Sequence, residues 1–154
     1  MTDLTEGSIA PDFELAGETG PIRLADFKGQ GVVVYFYPKD DTTGCTKEAQ
    51  AFSALAPEFA TAGVAVIGVS KDSLASHAKF TKKYALAVPL GSDLEGAVIE
   101  RYGSWVEKNM YGRTYMGIER STFLIGKDGK LVRVWRKVKV ANHAAEVLKA
   151  AQSL

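Results

Sequence analysis

The chain has 154 residues, 46% of them hydrophobic, and its 19 basic and 18 acidic side chains leave a net charge of +1. That balance gives no reason to expect a nucleic-acid or membrane partner, and the length suits one domain over residues 1–154 with a sizeable core. A single cysteine excludes both an intrachain disulfide framework and a cysteine-rich zinc site. The opening Met1-Thr-Asp-Leu-Thr-Glu6 lacks the basic and apolar regions of a secretion signal, and no apolar run is long enough to span a bilayer, so a cytoplasmic setting is expected.

In chain order, the first clear element is Val32-Val-Val-Tyr-Phe-Tyr37, a continuous run of β-branched and aromatic residues that predicts a strand buried on both faces. From Cys45, apolar residues at Ala49, Phe52, Leu55, Ala56 and Phe59 recur at helical spacing, with Pro57 expected to interrupt the helix near its end. Gly63 punctuates the chain before a second buried strand, Val64-Ala-Val-Ile-Gly-Val69. Asp72 or Ser73 caps a helix in which Leu74, His77, Phe80 and Tyr84 share one face. A short extended piece, Val88-Pro-Leu90, precedes a predicted helix from Leu94 to Tyr102. Ser121–Ile125 and Leu131–Trp135 flank an Asp-Gly pair and predict a β-hairpin, and a last helix over Ala141–Leu154 takes Asn142 as its cap. Strands alternating with helices before a terminal hairpin predict an α/β fold, a mixed sheet with helices on both faces.

The lone Cys45 falls where the first helix begins, after the loop Pro38-Lys-Asp-Asp-Thr-Thr-Gly44. Ligands of open α/β sheets bind beyond the carboxyl ends of strands, and the unpaired N–H groups of a helix start favour thiolate over thiol. Thr42 offers a hydroxyl for capping or for the sulfur or a substrate; Pro38 fixes φ and can shield the sulfur; Gly44 permits close backbone approach. Thr43 and Thr46 read as caps. Glu48 reads as a solvated first-turn acid, with the orientation of an arginine as the alternative. A thiolate needs a cationic partner, and Arg101, Arg113, Arg120, Arg133 and Arg136 all remain open by pattern alone. His77 and His143 have no metal-ligand spacing to each other or to Cys45.

Pro38, Thr42 and Cys45 match the Pro-x-x-x-Thr-x-x-Cys motif of the peroxiredoxins, and Phe36 to Glu48 closely resembles the bacterioferritin-comigratory-protein (PrxQ) subfamily. Ala10-Pro-Asp-Phe13 resembles that subfamily's N-terminal segment, and Trp105, Lys108, Tyr111-Gly112 and Gly117–Ile125 resemble its second characteristic stretch. The resemblance implies a thioredoxin-like fold with the peroxiredoxin N-terminal extension, and a peroxidase without metal or haem cofactor. It implies Cys45 as the nucleophile, Arg120 as the arginine that activates it, Thr42 as a hydrogen-bond partner of peroxide and sulfur, and Pro38 as a shield. Backbone N–H groups around Gly44 and Cys45 would polarise the peroxide. The implied substrates are hydrogen peroxide and alkyl hydroperoxides, reduced through a cysteine sulfenic acid.

Many members of the subfamily carry a resolving cysteine five residues after the first, where this chain has Gln50. With no second cysteine, an external thiol such as thioredoxin, a glutaredoxin or glutathione must recycle the enzyme. A monomer is expected, with a homodimer left open. The competing reading is a thioredoxin-like redox sensor or interaction module with a slowly reacting cysteine.

Overall fold

The computed structural model describes residues 4–154. Two short strands come first, β1 (Glu14–Gly17) and β2 (Gly20–Arg23), followed by the central β3 (Gly31–Phe36). Helices α1 (Thr43–Ala54) and α2 (Ala56–Thr61) lead to β4 (Val64–Ser70), then α3 (Leu74–Tyr84), β5 (Leu90–Ser92) and α4 (Ala97–Arg101). The chain continues through β6 (Trp105–Met110), β7 (Arg113–Ile118), β8 (Ser121–Ile125), β9 (Leu131–Trp135) and α5 (His143–Ala151). Among the described residues, seven strands form one mixed sheet in the order β2-β1-β5-β4-β3-β8-β9, while β6 and β7 pair only with each other.

All six residues of β3 are buried, because β3 lies between parallel β4 and antiparallel β8 and is covered on both faces. Alternation divides its side chains between two cores. Val33 and Tyr35, with Tyr37 beyond the strand, pack with Ala49 and Phe52 of α1, Phe59 of α2, Phe80 of α3 and Val147 of α5. Val32, Val34 and Phe36 pack with Ile99 of α4, Tyr102, Phe123 and Phe13. Tyr35 stacks on Phe52 with ring centroids 4.6 Å apart, which seats α1 against the strand that feeds it.

The predicted β3, β4 and β8–β9 hairpin are all present. The interruption at Pro57 is a true break, with the proline in the first turn of a separate helix, where its missing N–H costs nothing. Ser73 caps α3 by accepting from the Ser76 N–H, while the Asp72 carboxylate accepts from the Asp40 N–H of the loop between β3 and α1. The helix predicted over Leu94–Tyr102 is only Ala97–Arg101, because Gly96 at φ +79° turns the chain into it. Asn142 precedes α5, but in a left-handed conformation and without a capping side-chain bond. The β6–β7 hairpin was not anticipated. Its turn is Tyr111-Gly112, both at positive φ, and its strands are mostly exposed. Among the described residues, no helix is long and apolar enough to cross a membrane.

Candidate active site

The loop from β3 to α1 is pinned before it reaches the cysteine. The Tyr37 N–H still bonds the Val69 carbonyl, and the Asp40 N–H donates to Asp72 Oδ2 at 2.8 Å. The Asp40 carboxylate accepts from Tyr37 Oη at 2.6 Å and Ser76 Oγ at 2.8 Å, and meets His77 Nδ1 at 2.7 Å. His77 Nε2 faces the Gly91 carbonyl, so both ring nitrogens are engaged. Burial works against the Asp40 charge, but the bonds from His77, Tyr37 and Ser76 outweigh it and hold the carboxyl below its ordinary range. Asp40, Asp72 and His77 bring one ligand atom each within 4.8 Å of one another. Those atoms are already taken up by protein hydrogen bonds.

Beyond this anchor Thr42 is extended (φ −96°, ψ 158°), and its carbonyl accepts the first helical bond, from the Thr46 N–H at 2.8 Å. The N–H groups of Thr43, Gly44 and Cys45 therefore precede the first intrahelical donor, and no acceptor meets them among the described residues. The Thr42 hydroxyl donates to the Lys39 carbonyl at 2.8 Å, rather than to the sulfur, leaving its oxygen lone pairs for an incoming donor. Pro38 is exposed at the start of the loop.

Cys45 lies in the first turn of α1 and is 1% exposed. Of the five arginines open in the sequence, Arg120 is the one brought to it, from the two-residue link between β7 and β8. Its Nη2 donates to Cys45 Sγ at 3.3 Å and its Nη1 to Glu48 Oε1 at 2.6 Å. A guanidinium contact of this kind is stronger when the sulfur is negatively charged. Gly44 makes room for it: a Cβ at that position would come within 3.2 Å of Arg120 Nη2.

The reading of Glu48 as a solvated acid is corrected. It is 1% exposed, on the second turn of α1, and ion-paired with Arg120. The alternative, orientation of an arginine, describes its position. Burial pushes its carboxyl up to about 7 against the pull of Arg120, and its second oxygen has no partner among the described residues. Burial also opposes the Arg120 charge, but Glu48 and Cys45 together raise that guanidinium above its ordinary value. Thr46 is buried beside Cys45, while Thr43 is exposed.

His143 is distant in sequence and packs edge-on against Phe52 and Trp135, with Nε2 2.8 Å from Thr122 Oγ1. Burial lowers its pKa to about 4, so it serves as a neutral core histidine. Sequence reasoning missed Asp40 and the role of His77 in holding it. The signals available were an acid in the loop before the cysteine and a histidine on the apolar face of α3. A cavity of about 590 Å³ is lined by Asp12, Phe13, Asp93 and Arg101 among others and contains none of the Cys45 constellation.

Comparison with known proteins decides the family. The AhpC/TSA family matches residues 7–134. The chain belongs to the AhpC/TSA family of peroxiredoxins. It is 51% identical over 154 residues to Peroxiredoxin Bcp of Xanthomonas campestris, covering 97% of this chain and 96% of that one. It is 47% identical over 149 residues to Peroxiredoxin Bcp of Bacillus subtilis, covering 96% and 95%. Peroxiredoxin Q of X. campestris superimposes with a TM-score of 0.89 at 45% identity, covering 99% of this chain and 97% of that one. A Cys-to-Ser variant of PrxQ from Xylella fastidiosa reaches 0.93 at 37% identity, covering 99% and 98%. The bacterioferritin comigratory protein of X. campestris, studied structurally for alkyl peroxide reduction, matches at 0.89 and 44% identity, covering 99% and 98%. The fold is therefore thioredoxin-like with the peroxiredoxin N-terminal extension, and the PrxQ resemblance of the sequence is borne out. A peroxiredoxin is a thiol-dependent peroxidase, and this chain has one thiol with which to be one.

Proposed function

We propose that this peroxiredoxin reduces hydrogen peroxide and small alkyl hydroperoxides at Cys45 by a one-cysteine cycle, with Arg120, Thr42, Pro38 and the backbone of Gly44 and Cys45 forming the site. The observation that carries the reading is the guanidinium of Arg120 on Sγ, beside three helix-start N–H groups that meet no acceptor among the described residues. The thiolate attacks the nearer peroxide oxygen in line with the O–O bond. The farther oxygen leaves with the bonding electron pair, and its negative charge develops where Arg120 and those N–H groups can meet it. It departs as water or alcohol after taking up a proton, leaving Cys45 as sulfenic acid. Thr42 offers lone pairs to the peroxide O–H, and Pro38 limits water at the edge of the loop. Ionisation alone gives a modest gain, because nucleophilicity falls with thiol pKa, so positioning and charge stabilisation carry most of the rate.

No second cysteine exists to resolve the sulfenic acid. One external thiol therefore forms a mixed disulfide and releases water, and a second releases Cys45 and leaves as the disulfide. The sheet draws strands from both ends of the chain, which supports treating residues 1–154 as one catalytic unit. The 1% exposure of Cys45 favours a second reading, a slow redox-sensing thiol. Stopped-flow mixing of reduced protein with peroxide, followed by tryptophan fluorescence, separates the two. The peroxidase gives a fast second-order phase that Cys45→Ser abolishes; a phase that is absent in wild type or unchanged in the variant overturns the proposal.

A further inference from the structure

Arg120 reaches Cys45 from the two-residue link between β7 and β8, so the place of its guanidinium depends on what holds that link. An arginine side chain is long and rich in rotamers, and contacts at its tip do not by themselves fix where its backbone sits. Neither Glu119 nor Arg120 belongs to a strand. On one side the Glu119 N–H donates to the Ser104 carbonyl at 2.7 Å. On the other, the segment between β9 and α5 supplies two successive N–H groups. The Lys137 N–H donates to Glu119 Oε1 at 3.1 Å, and the Val138 N–H donates to the Arg120 carbonyl at 2.9 Å.

These two grips depend on each other. Lys137 is at φ +48°, a left-handed conformation that a lysine holds only where its surroundings impose it. With that turn, two adjacent amides meet the link together, as successive N–H groups gather on an acceptor in a backbone nest. The segment is fixed at both ends. Arg136 Nη1 donates to the Tyr102 and Gly103 carbonyls at 3.0 and 3.2 Å, and the Val140 carbonyl accepts from the His143 N–H at the entry to α5. Between those anchors residues 137–140 belong to no strand. Glu119 is the side chain that fastens them to the link. It is half-buried and, among the described residues, makes no ion pair, so its charged oxygen is free to serve a backbone N–H.

We propose that Glu119 is a positioning residue for the peroxidase reaction: by holding the Lys137 N–H it seats Val138 on the Arg120 carbonyl, and so keeps the Arg120 guanidinium on Cys45 Sγ. This rests on the reading of Arg120 above, as the group that meets charge on the sulfur and on the leaving oxygen. Glu119 acts through the backbone of its neighbour, and its own side chain bonds Lys137 rather than the sulfur or the guanidinium. Without the carboxylate, nothing holds the left-handed turn at Lys137, and the Val138 N–H is released from the Arg120 carbonyl. The link then gains freedom at the root of a side chain whose tip has to stand 3.3 Å from Sγ. A shift of about 1 Å in a reacting group can cost about 100-fold in rate, even when its cause lies away from the chemistry.

A double-mutant cycle on the oxidation of reduced protein by hydrogen peroxide, read by stopped flow, tests this. Glu119→Ala should slow oxidation about tenfold, within what a small misplacement can cost. Glu119→Gln keeps an oxygen that accepts the Lys137 N–H and should react at close to the wild-type rate. In Arg120→Ala, which has no guanidinium left to misplace, adding Glu119→Ala should cost nothing further. A loss that multiplies with that of Arg120→Ala overturns the proposal, because it then comes from general loosening of the fold. A Gln variant as slow as the Ala variant overturns it too, because the charge of Glu119 would be acting rather than its hydrogen bond. The same cycle read by iodoacetamide alkylation of reduced Cys45 needs no peroxidase activity. Glu119→Ala should move the alkylation rate in the direction that Arg120→Ala moves it, and the double variant should go no further than Arg120→Ala alone. Independent effects of the two substitutions on alkylation overturn the proposal. If peroxide gives no fast phase in wild type, the peroxidase reading fails, yet alkylation still decides whether Glu119 places Arg120 on the sulfur.

Discussion

Two buried charged clusters follow one another along the chain, one around Asp40 in the β3–α1 loop and one around Cys45 at the start of α1, and they differ in what they leave unmet. Around Asp40, both carboxylate oxygens are used, by Tyr37, Ser76 and His77, and the far nitrogen of His77 reaches the Gly91 carbonyl. Around Cys45, among the described residues, Glu48 keeps an oxygen without a partner and three backbone N–H groups have no acceptor. A satisfied network fixes geometry, whereas an unsatisfied one is costly unless something else completes it. The first cluster holds the loop so that the second can stay incomplete until a substrate oxygen arrives.

Separating reactivity from stability sharpens that contrast. Arg120→Ala should give the largest effect, slowing peroxide oxidation of Cys45 by about 10²–10³-fold in stopped flow, the usual result of removing a donor to developing charge. Asp40→Ala should act on the fold instead, lowering the urea unfolding free energy by about 3 kcal/mol, because it leaves His77 and Tyr37 without their buried partner. The Asp40 carboxyl is depressed in the folded state, so its stabilisation is present above its ordinary value and is lost as pH falls through the folded one. Acid titration of Asp40→Asn should therefore show a weaker loss than wild type.

Glu48→Gln should have the smallest and most pH-specific effect. Between 4.5 and about 7 the folded carboxyl keeps a proton that the unfolded one has released, so wild-type stability declines as pH rises through that window. The variant should lack the decline and gain on the order of 1–3 kcal/mol at pH 8, and its oxidation rate should lose any inflection near 7. If the decline persists in the variant, the unpartnered oxygen of Glu48 is not its source.

Elements with strong periodicity were legible in the sequence. The runs at Val32 and Val64 could hardly be anything but buried strands, and Asp128-Gly129 marked the β8–β9 hairpin. The β6–β7 hairpin was not legible, because its strands are mostly exposed and Tyr111 at its turn is an unusual residue for positive φ. At the site, the loop-to-helix placement of Cys45 was visible locally, but its arginine was not. Arg120 is 75 positions away, and only the folded sheet brings it to α1. The same distance explains Glu48. A glutamate near a helix start is ordinarily solvated, and nothing nearby in sequence signals that a guanidinium will cover it.

Gln50 is exposed on α1, five residues or about 140° around the helix from buried Cys45. Had a thiol stood there, joining it to Cys45 would require the turn between them to unwind, and each turnover would draw on the folding stability of α1. With glutamine in that place, the proposed cycle can run with the helix wound throughout. The backbone amides of α1 should then exchange with deuterium at the same rate in the resting enzyme and during steady-state turnover.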